Sequence, residues 1–360
     1  MSNKALDHKC PSCGAPIFFK PKENKWVCDY CKSGFSLKEL QKHNNASSEK
    51  NNEQTTETKK TKSNDTYVSY RCKNCNAEIV ADEHTAATFC VYCGNTAILK
   101  EKLSGEFAPT KIIPFKKEKN IAVDAFKKLS KGRPLMPKSF NSEENIQKIT
   151  GVYIPFWLYD MQTEGKLEGM GTKITSWRVG DTVFTKTDVY KLIREATMEF
   201  TRVPVDGSTN FANDVMNSIE PYNYEEMIDY NHAYLSGFLA EKYNVNSEES
   251  RKEPTDRAVK TACTLMENDM VGYGSIRING DTVHANIKKT EYVLLPVWMV
   301  NVKYKDKFYL FAMNGQTGEF VGNIPIDKKK MFIYSIIIFI GVFLLIIAIS
   351  YLYFIYGGNL

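Results

Sequence analysis

The chain has 360 residues, and its 47 basic and 42 acidic side chains leave a formal charge of +5. That length exceeds what one core usually organises, so two or three folded units with connectors are expected. So small a surplus excludes a nucleic-acid argument resting on overall charge; any such argument must be local.

Met1 to Cys10 (MSNKALDHKC) has no apolar stretch of the kind a secretory leader needs, which predicts a cytosolic N-terminus. Eight of the nine cysteines then fall into four CxxC pairs: Cys10 with Cys13, Cys28 with Cys31, Cys72 with Cys75, and Cys90 with Cys93. In both halves 14 residues separate the pairs, and the second half repeats the first at an offset of 62 positions. A CxxC knuckle brings two thiolates to one point and a hairpin returns the second knuckle, which completes a tetrahedral four-sulfur site. With no open coordination position, such a site is structural. Two structural zinc ions per chain are therefore expected, in ribbons at 1–40 and 67–105. The repeat extends to Ile17 and Ile79, Val27 and Phe89, and Tyr30 and Tyr92, which are expected to form the small core that zinc closes. Disulfides are disfavoured in a reducing cytosol, and a redox dithiol needs a βαβ setting that these hairpins lack.

Gln41 to Thr66 has one Ala as its only apolar residue and nearly balanced charges, so a flexible linker is expected at 41–66. Residues 106–327 read as an α+β domain with an antiparallel sheet. Gly151–Asp160 (GVYIPFWLYD) and Tyr292–Asn301 (YVLLPVWMVN) align through Pro155 with Pro296 and Trp157 with Trp298. Both read as buried strands of related half-units, with the prolines pointing to edge positions or bulges. Helices are expected at Glu118–Ser130, Asp214–Ile219, Glu225–Tyr243 and Thr255–Asn268. Lys303–Asp327 reads as a meander turning at KDK and NGQTG.

Met331–Tyr356 is an uncharged run of 26 residues. At ~1.5 Å per residue it is long enough to cross a ~30 Å hydrocarbon layer. Lys328, Lys329 and Lys330 precede it and Gly357–Leu360 carries no basic residue, so the positive-inside rule predicts a single-pass protein of the cytoplasmic membrane with residues 1–330 in the cytoplasm.

No GxxxxGK[ST], HExxH, GxSxG or kinase-type set occurs, and the five histidines are scattered, so no catalytic residue is expected. Cys263, alone on a helical stretch, reads as a small apolar residue. Residues 1–43 carry eight Lys against two Asp and two Glu, whereas residues 68–100 balance Arg71, Lys73 and Lys100 with Glu78, Asp82 and Glu83. A phosphate-tracking pair of ribbons should be basic in both copies.

The motifs CPSCG, CVYCG, PYNYEEMIDYNHAYLSGFLAEKY and LPVWMVNVKYKDKFYLFAMNGQTGEFVGNIPIDKKK resemble the YdjG-like family of bacterial membrane proteins with transcription-factor-IIB-type zinc ribbons. The resemblance covers nearly the whole chain. It implies a link to phage-shock-protein-A-type membrane-stress systems and a noncatalytic adaptor that recruits a cytosolic protein partner to the lipid bilayer. Only the eight ribbon cysteines carry over as site residues. The rival expectation is a membrane-attached nucleic-acid binder that uses the basic first ribbon.

Overall fold

The computed structural model describes residues 9–48, 67–71, 78–82, 85–89, 96–98, 103, 108–129, 131, 133–137, 140, 142–211, 213–305, 307–322 and 324–356. The chain opens with a three-stranded antiparallel sheet, β1 (Ile17–Lys20), β2 (Lys25–Cys28) and β3 (Gly34–Phe35), in that order. Helix α1 (Leu37–Ser48) follows. It starts at a capping box in which the Ser36 backbone N–H donates to Glu39 Oε2 at 2.7 Å and the Glu39 N–H donates to Ser36 Oγ at 3.4 Å. This helix continues through the first eight residues of the span expected as linker, 41–48.

β4 (Tyr67–Arg71) and β5 (Glu78–Asp82) form a separate hairpin. β6 (Thr85–Phe89) and β7 (Thr96–Ile98) form a second one, joined to the main sheet. Then come β8 (Lys111–Ile112), α2 (Lys119–Lys128), α3 (Glu143–Gln147), β9 (Thr150–Val179), β10 (Thr182–Asp206), α4 (Asn213–Ser218), β11 (Ile228–Asp229), β12 (Leu239–Glu241), α5 (Ser247–Ser250) and α6 (Lys252–Asn268). β13 (Ser275–Asp281), β14 (His284–Tyr304), β15 (Lys307–Asn314), β16 (Phe320–Gly322) and α7 (Lys328–Tyr356) complete the order. Among the described residues the main sheet has eleven strands with the path β11-β8-β14-β9-β12-β6-β7; β10 and β13 pair with β9, β15 pairs with β14, and β16 pairs with β15.

The sheet is mixed. β12 pairs with β9 in parallel and β8 pairs with β14 in parallel, where a wholly antiparallel sheet was expected. These two pairs belong to an internal two-fold arrangement centred between Ile154 and Leu295, which lie opposite each other in the β9–β14 ladder. In the first half, the Gly207 N–H donates to Pro155 O at 2.8 Å, the Asn244 and Val245 N–H groups donate to Gly207 O, and Trp157 Nε1 donates to Val245 O at 2.9 Å. In the second half, the Gly315 N–H donates to Pro296 O at 2.8 Å, the Lys116 and Lys117 N–H groups donate to Gly315 O, and Trp298 Nε1 donates to Lys117 O at 2.8 Å. The related half-units expected from the Pro-x-Trp repeat are thus present, but both prolines lie in the middle of the sheet rather than at an edge. A strand residue's N and O point to the same side. Each proline's missing N–H faces Gly207 or Gly315, just past the end of β10 or β15, whose carbonyl accepts from Asn244 and Val245 or from Lys116 and Lys117 instead, so no acceptor is left unpaired.

Both faces of this central seam are buried, so β9 and β14 read as apolar runs rather than alternating ones. Tyr153, Trp157, Leu294 and Trp298 face a core that also contains Ile17, Phe19 and Trp26 from the first ribbon and Phe126 from α2. Ile154, Phe156, Val293 and Leu295 face α4 through Val215 and Met216. A smaller cluster packs Ala262 and Met266 of α6 on Leu167 and Leu192.

Residues 225–243 do not form the expected helix. They run through single turns at Tyr224–Glu226 and His232–Leu235 and the short strands β11 and β12. Asn223 and Asn231 accept hydrogen bonds from the N–H groups two residues on, at 3.1 and 2.9 Å, which favours turns over helix. Gly237 then adopts φ +96°, and Phe238 stacks on Phe115 with centroids 4.1 Å apart. Tyr230, Tyr234 and Phe238, four residues apart, are held by tertiary packing instead of by a helix.

Beyond β13, the β9–β10 hairpin continues as a two-stranded arm that turns at Gly180 and carries Trp177 stacked on Phe184 with centroids 5.8 Å apart. At the other end of the domain, Asp327 caps α7 by accepting from the Lys329 N–H at 3.0 Å, and its own N–H donates to Leu135 O at 2.9 Å. Lys330 Nζ donates to Met136 O at 2.6 Å. α7 is long and apolar enough to cross a membrane over Lys328–Leu352, and none of that span is buried.

Candidate metal centre

The first ribbon brings its four cysteines together because its two knuckles repeat one backbone pattern. The Gly14 N–H donates to Cys10 O at 2.8 Å and the Lys32 N–H donates to Cys28 O at 2.9 Å. The Cys10 N–H donates to Ala15 O and the Cys28 N–H donates to Ser33 O, at 2.8 and 3.0 Å. Each knuckle turns through a left-handed residue, Gly14 at φ +73° and Lys32 at φ +61°. Lys32 adopts there a conformation that glycine takes at lower cost.

The ligand atoms of Cys10, Cys13, Cys28 and Cys31 all lie within 4.8 Å of one another, the one such group among the described residues. Cys10 Sγ lies 3.5 Å from Cys31 Sγ and Cys13 Sγ lies 3.6 Å from Cys28 Sγ, so each contact crosses from one knuckle to the other. Cys10 and Cys28 are buried, Cys31 is half-buried and Cys13 is exposed.

The sulfurs perturb one another in opposite directions. Ser33, with Oγ 3.4 Å from Cys31 Sγ and a backbone N–H nearby, draws the Cys31 thiol down to about 6. Cys13 also has a backbone hydrogen bond at Ala15 that lowers it, yet loss of water and the neighbouring Cys31, Cys28 and Cys10 push it up to about 12. Four thiolates this close repel, and a divalent cation between them removes that repulsion and holds all four deprotonated. The donor set therefore fits one bound metal ion.

Cys72, Cys75, Cys90 and Cys93 lie outside the described residues. Of the expected small core, Ile17 is buried and Val27 is half-buried, but Tyr30 is 83% exposed. Trp26 takes the central place. It is 1% exposed, donates from Nε1 to Ala233 O at 2.8 Å, and lies with Phe19 against Tyr234 at centroid distances of 5.0 and 5.2 Å. The Phe19 N–H donates to Ser236 O at 3.0 Å. The N-terminal cysteine-bearing sheet is thus built into the domain core. A tryptophan in an otherwise Lys-rich ribbon was the available sign of this docking.

Cys263 is half-buried on α6, and burial raises its thiol. Tyr230 OH lies 2.8 Å from His232 Nδ1, which places that histidine at the core edge.

No family model matches the chain, and no solved structure matches it. Over 313 residues it is 35% identical to the uncharacterized protein YdjG of Bacillus subtilis (strain 168). That alignment takes in 73% of this chain and 92% of the relative. At that identity and coverage, with an N-terminal cysteine cluster, a mixed-sheet domain and a long apolar C-terminal helix in place, the chain belongs to the YdjG family.

Proposed function

We propose that this protein is a noncatalytic adaptor of the cytoplasmic membrane, anchored by α7, that uses a zinc-ribbon knuckle to recruit a cytosolic protein partner in a membrane-stress response. The metal is zinc. Four thiolates around zinc, with Zn–S near 2.3 Å, lie roughly 3.8 Å apart, and the cross-knuckle distances of 3.5 and 3.6 Å support that geometry. Cys10, Cys13, Cys28 and Cys31 would hold the ion, whose role is to close the ribbon rather than to react. A second zinc is assigned to Cys72, Cys75, Cys90 and Cys93 on the strength of the sequence repeat.

The observation that carries the adaptor reading is Tyr30. It lies between two ligand positions, Cys28 and Cys31, and stays 83% exposed on a knuckle whose other side is locked to the domain through Trp26. An exposed aromatic on a rigid support suits a protein partner, because it offers contact area with little entropy left to lose. Lys328, Lys329 and Lys330 at the start of α7 favour a cytoplasmic domain.

Affinity purification of the detergent-solubilised full chain, with and without nuclease, tests this reading. A nuclease-resistant protein partner that is lost in Tyr30→Ala, with zinc content unchanged, is the expected result. Partners that disappear with nuclease would put the basic-ribbon, nucleic-acid reading in its place.

A further inference from the structure

Among the described residues, five buried side-chain polar atoms lack a hydrogen-bond partner, and four of them belong to one neighbourhood: Asp206 Oδ1, Asn217 Oδ1, Glu220 Oε1 and Tyr224 OH. Asn217 Nδ2 donates to Glu253 Oε1 at 3.3 Å, and Arg257 reaches Glu220 Oε2 at 3.4 Å and Pro204 O at 3.1 Å, which links the group across β10, α4 and α6. Three of the four orphans accept only, or accept when ionised. Arg257 is committed to Glu220 and Pro204 O, and Asp206 Oδ1, Asn217 Oδ1 and Glu220 Oε1 still lack an N–H donor.

Asp206 is 5% exposed and lines a cleft of about 600 Å³ together with Ser208, Glu253 and Arg257. Lys252 and Lys260 line it too and are exposed, two helical steps of four apart on one side of α6. The internal two-fold supplies a control. Asn314 stands where Asp206 does, opposite Val297 as Asp206 is opposite Phe156. There the chain satisfies the side chain itself. Asn314 Nδ2 donates to Ile219 O at 2.9 Å and Pro221 O at 3.3 Å, and its Oδ1 accepts from the Gln316 and Thr317 N–H groups. The first half keeps a carboxylate with an oxygen that nothing in the chain fills, beside an open cleft.

We propose that this cleft binds the primary ammonium group of a small amine or amino acid, which pairs with the Asp206 carboxylate in the cleft wall, with the Glu253 carboxylate as its second counter-charge. A metal ion is the poorer fit, because among the described residues only the four cysteines converge as a ligand set. An ammonium group supplies what is missing: one positive charge and three N–H donors. If the ligand is an amino acid, its carboxylate meets Lys260 at the mouth.

Calorimetric titration of the full chain in detergent micelles, with putrescine, L-alanine and tetramethylammonium, tests the proposal. Saturable binding of at least one of the two primary amines, with none of the N–H-free cation, is expected. Asp206→Asn, which places in the first half the residue that the second half carries, should weaken binding about tenfold or more, and Glu253→Gln should weaken it less. L-alanine binding that Lys260→Ala weakens assigns the amino-acid class; putrescine binding with no binding of L-alanine assigns the simple amine. Absence of binding by both amines, equal binding of tetramethylammonium, or unchanged affinity in both Asp206→Asn and Glu253→Gln would overturn it.

Discussion

Replacing Asp206 with Asn should stabilise the unliganded protein, by an amount that depends on pH. Burial, and then the Glu253 carboxylate, push the Asp206 carboxyl up from the ordinary 3.8 to about 6, against hydrogen bonds from backbone N–H groups that lower it. Glu249, Glu253, Asp256, Lys252, Arg257 and Lys260 line the same cleft. A carboxyl raised on folding costs nothing below the unfolded value, where both states are protonated. As pH rises through 4 to 6 the unfolded chain ionises first, so the folded state loses stability across that window and carries the whole cost above it. At 1.36 kcal/mol per pH unit the displacement corresponds to about 3 kcal/mol. Asparagine has no charge to desolvate, so the variant should gain about 3 kcal/mol at pH 8 and roughly half of that at pH 5. At roughly 2–4 °C per kcal/mol for a domain of this size, Tm should rise roughly 6–12 °C at pH 8. Thermal unfolding of the full chain in detergent at both pH values reads this directly. A variant that is equally or less stable than the parent at pH 8, or a gain that does not grow with pH, would show that Asp206 is not a buried, uncompensated carboxylate.

Cys28→Ser should lower the metal content of the purified protein by one ion per chain, measured by elemental analysis, because Cys28 is buried at the shared point of the cluster. Trp26→Ala should cost about 3–5 kcal/mol through the void it leaves, and limited proteolysis should then release residues 9–48 from the domain; Trp26→Phe, which leaves Ala233 O without its donor, should cost about 1–3 kcal/mol. Gly315→Ala should prevent folding, since its Cβ would lie 2.6 Å from Phe115 Cδ1 and 2.8 Å from Pro296 Cβ. Gly180→Ala, at φ +61° with nothing within 4 Å, should lower stability by only about 1 kcal/mol in the same denaturation assay.

What the sequence made legible was local. Knuckle spacing placed Cys10, Cys13, Cys28 and Cys31 together because their convergence needs only two tight turns and a hairpin. The uncharged run marked α7, and Pro155 with Pro296 marked a repeat, because both patterns are written in consecutive residues. The misreadings were tertiary. Residues 225–243 form no α-helix although Tyr230, Tyr234 and Phe238 recur every four positions. Each instead fills a different pocket, Phe238 against Phe115 and Tyr234 against Trp26. Tyr30 looked like core because Tyr92 aligns with it, although the outer face of a knuckle has nothing to cover it. Nothing local distinguishes Asp206 in the turn sequence DGSTN; its cleft neighbours Glu253 and Arg257 lie on a helix some fifty residues later.

The two halves follow each other along the chain as short strand, Pro-x-Trp strand and returning strand: β8, β9, β10, then β12, β14, β15. Yet β8 pairs with β14 and β12 with β9, so each copy lends its short strand to the other. This is the arrangement of a strand-exchanged dimer written into one polypeptide. Neither copy can complete its own sheet, and the paired β9 and β14 are at once the interior of one domain and the interface of two. Such a duplication frees the copies to diverge without losing each other. One half bonds Asn314 and Gln316 to its own backbone, while the other has kept a carboxylate beside a cleft.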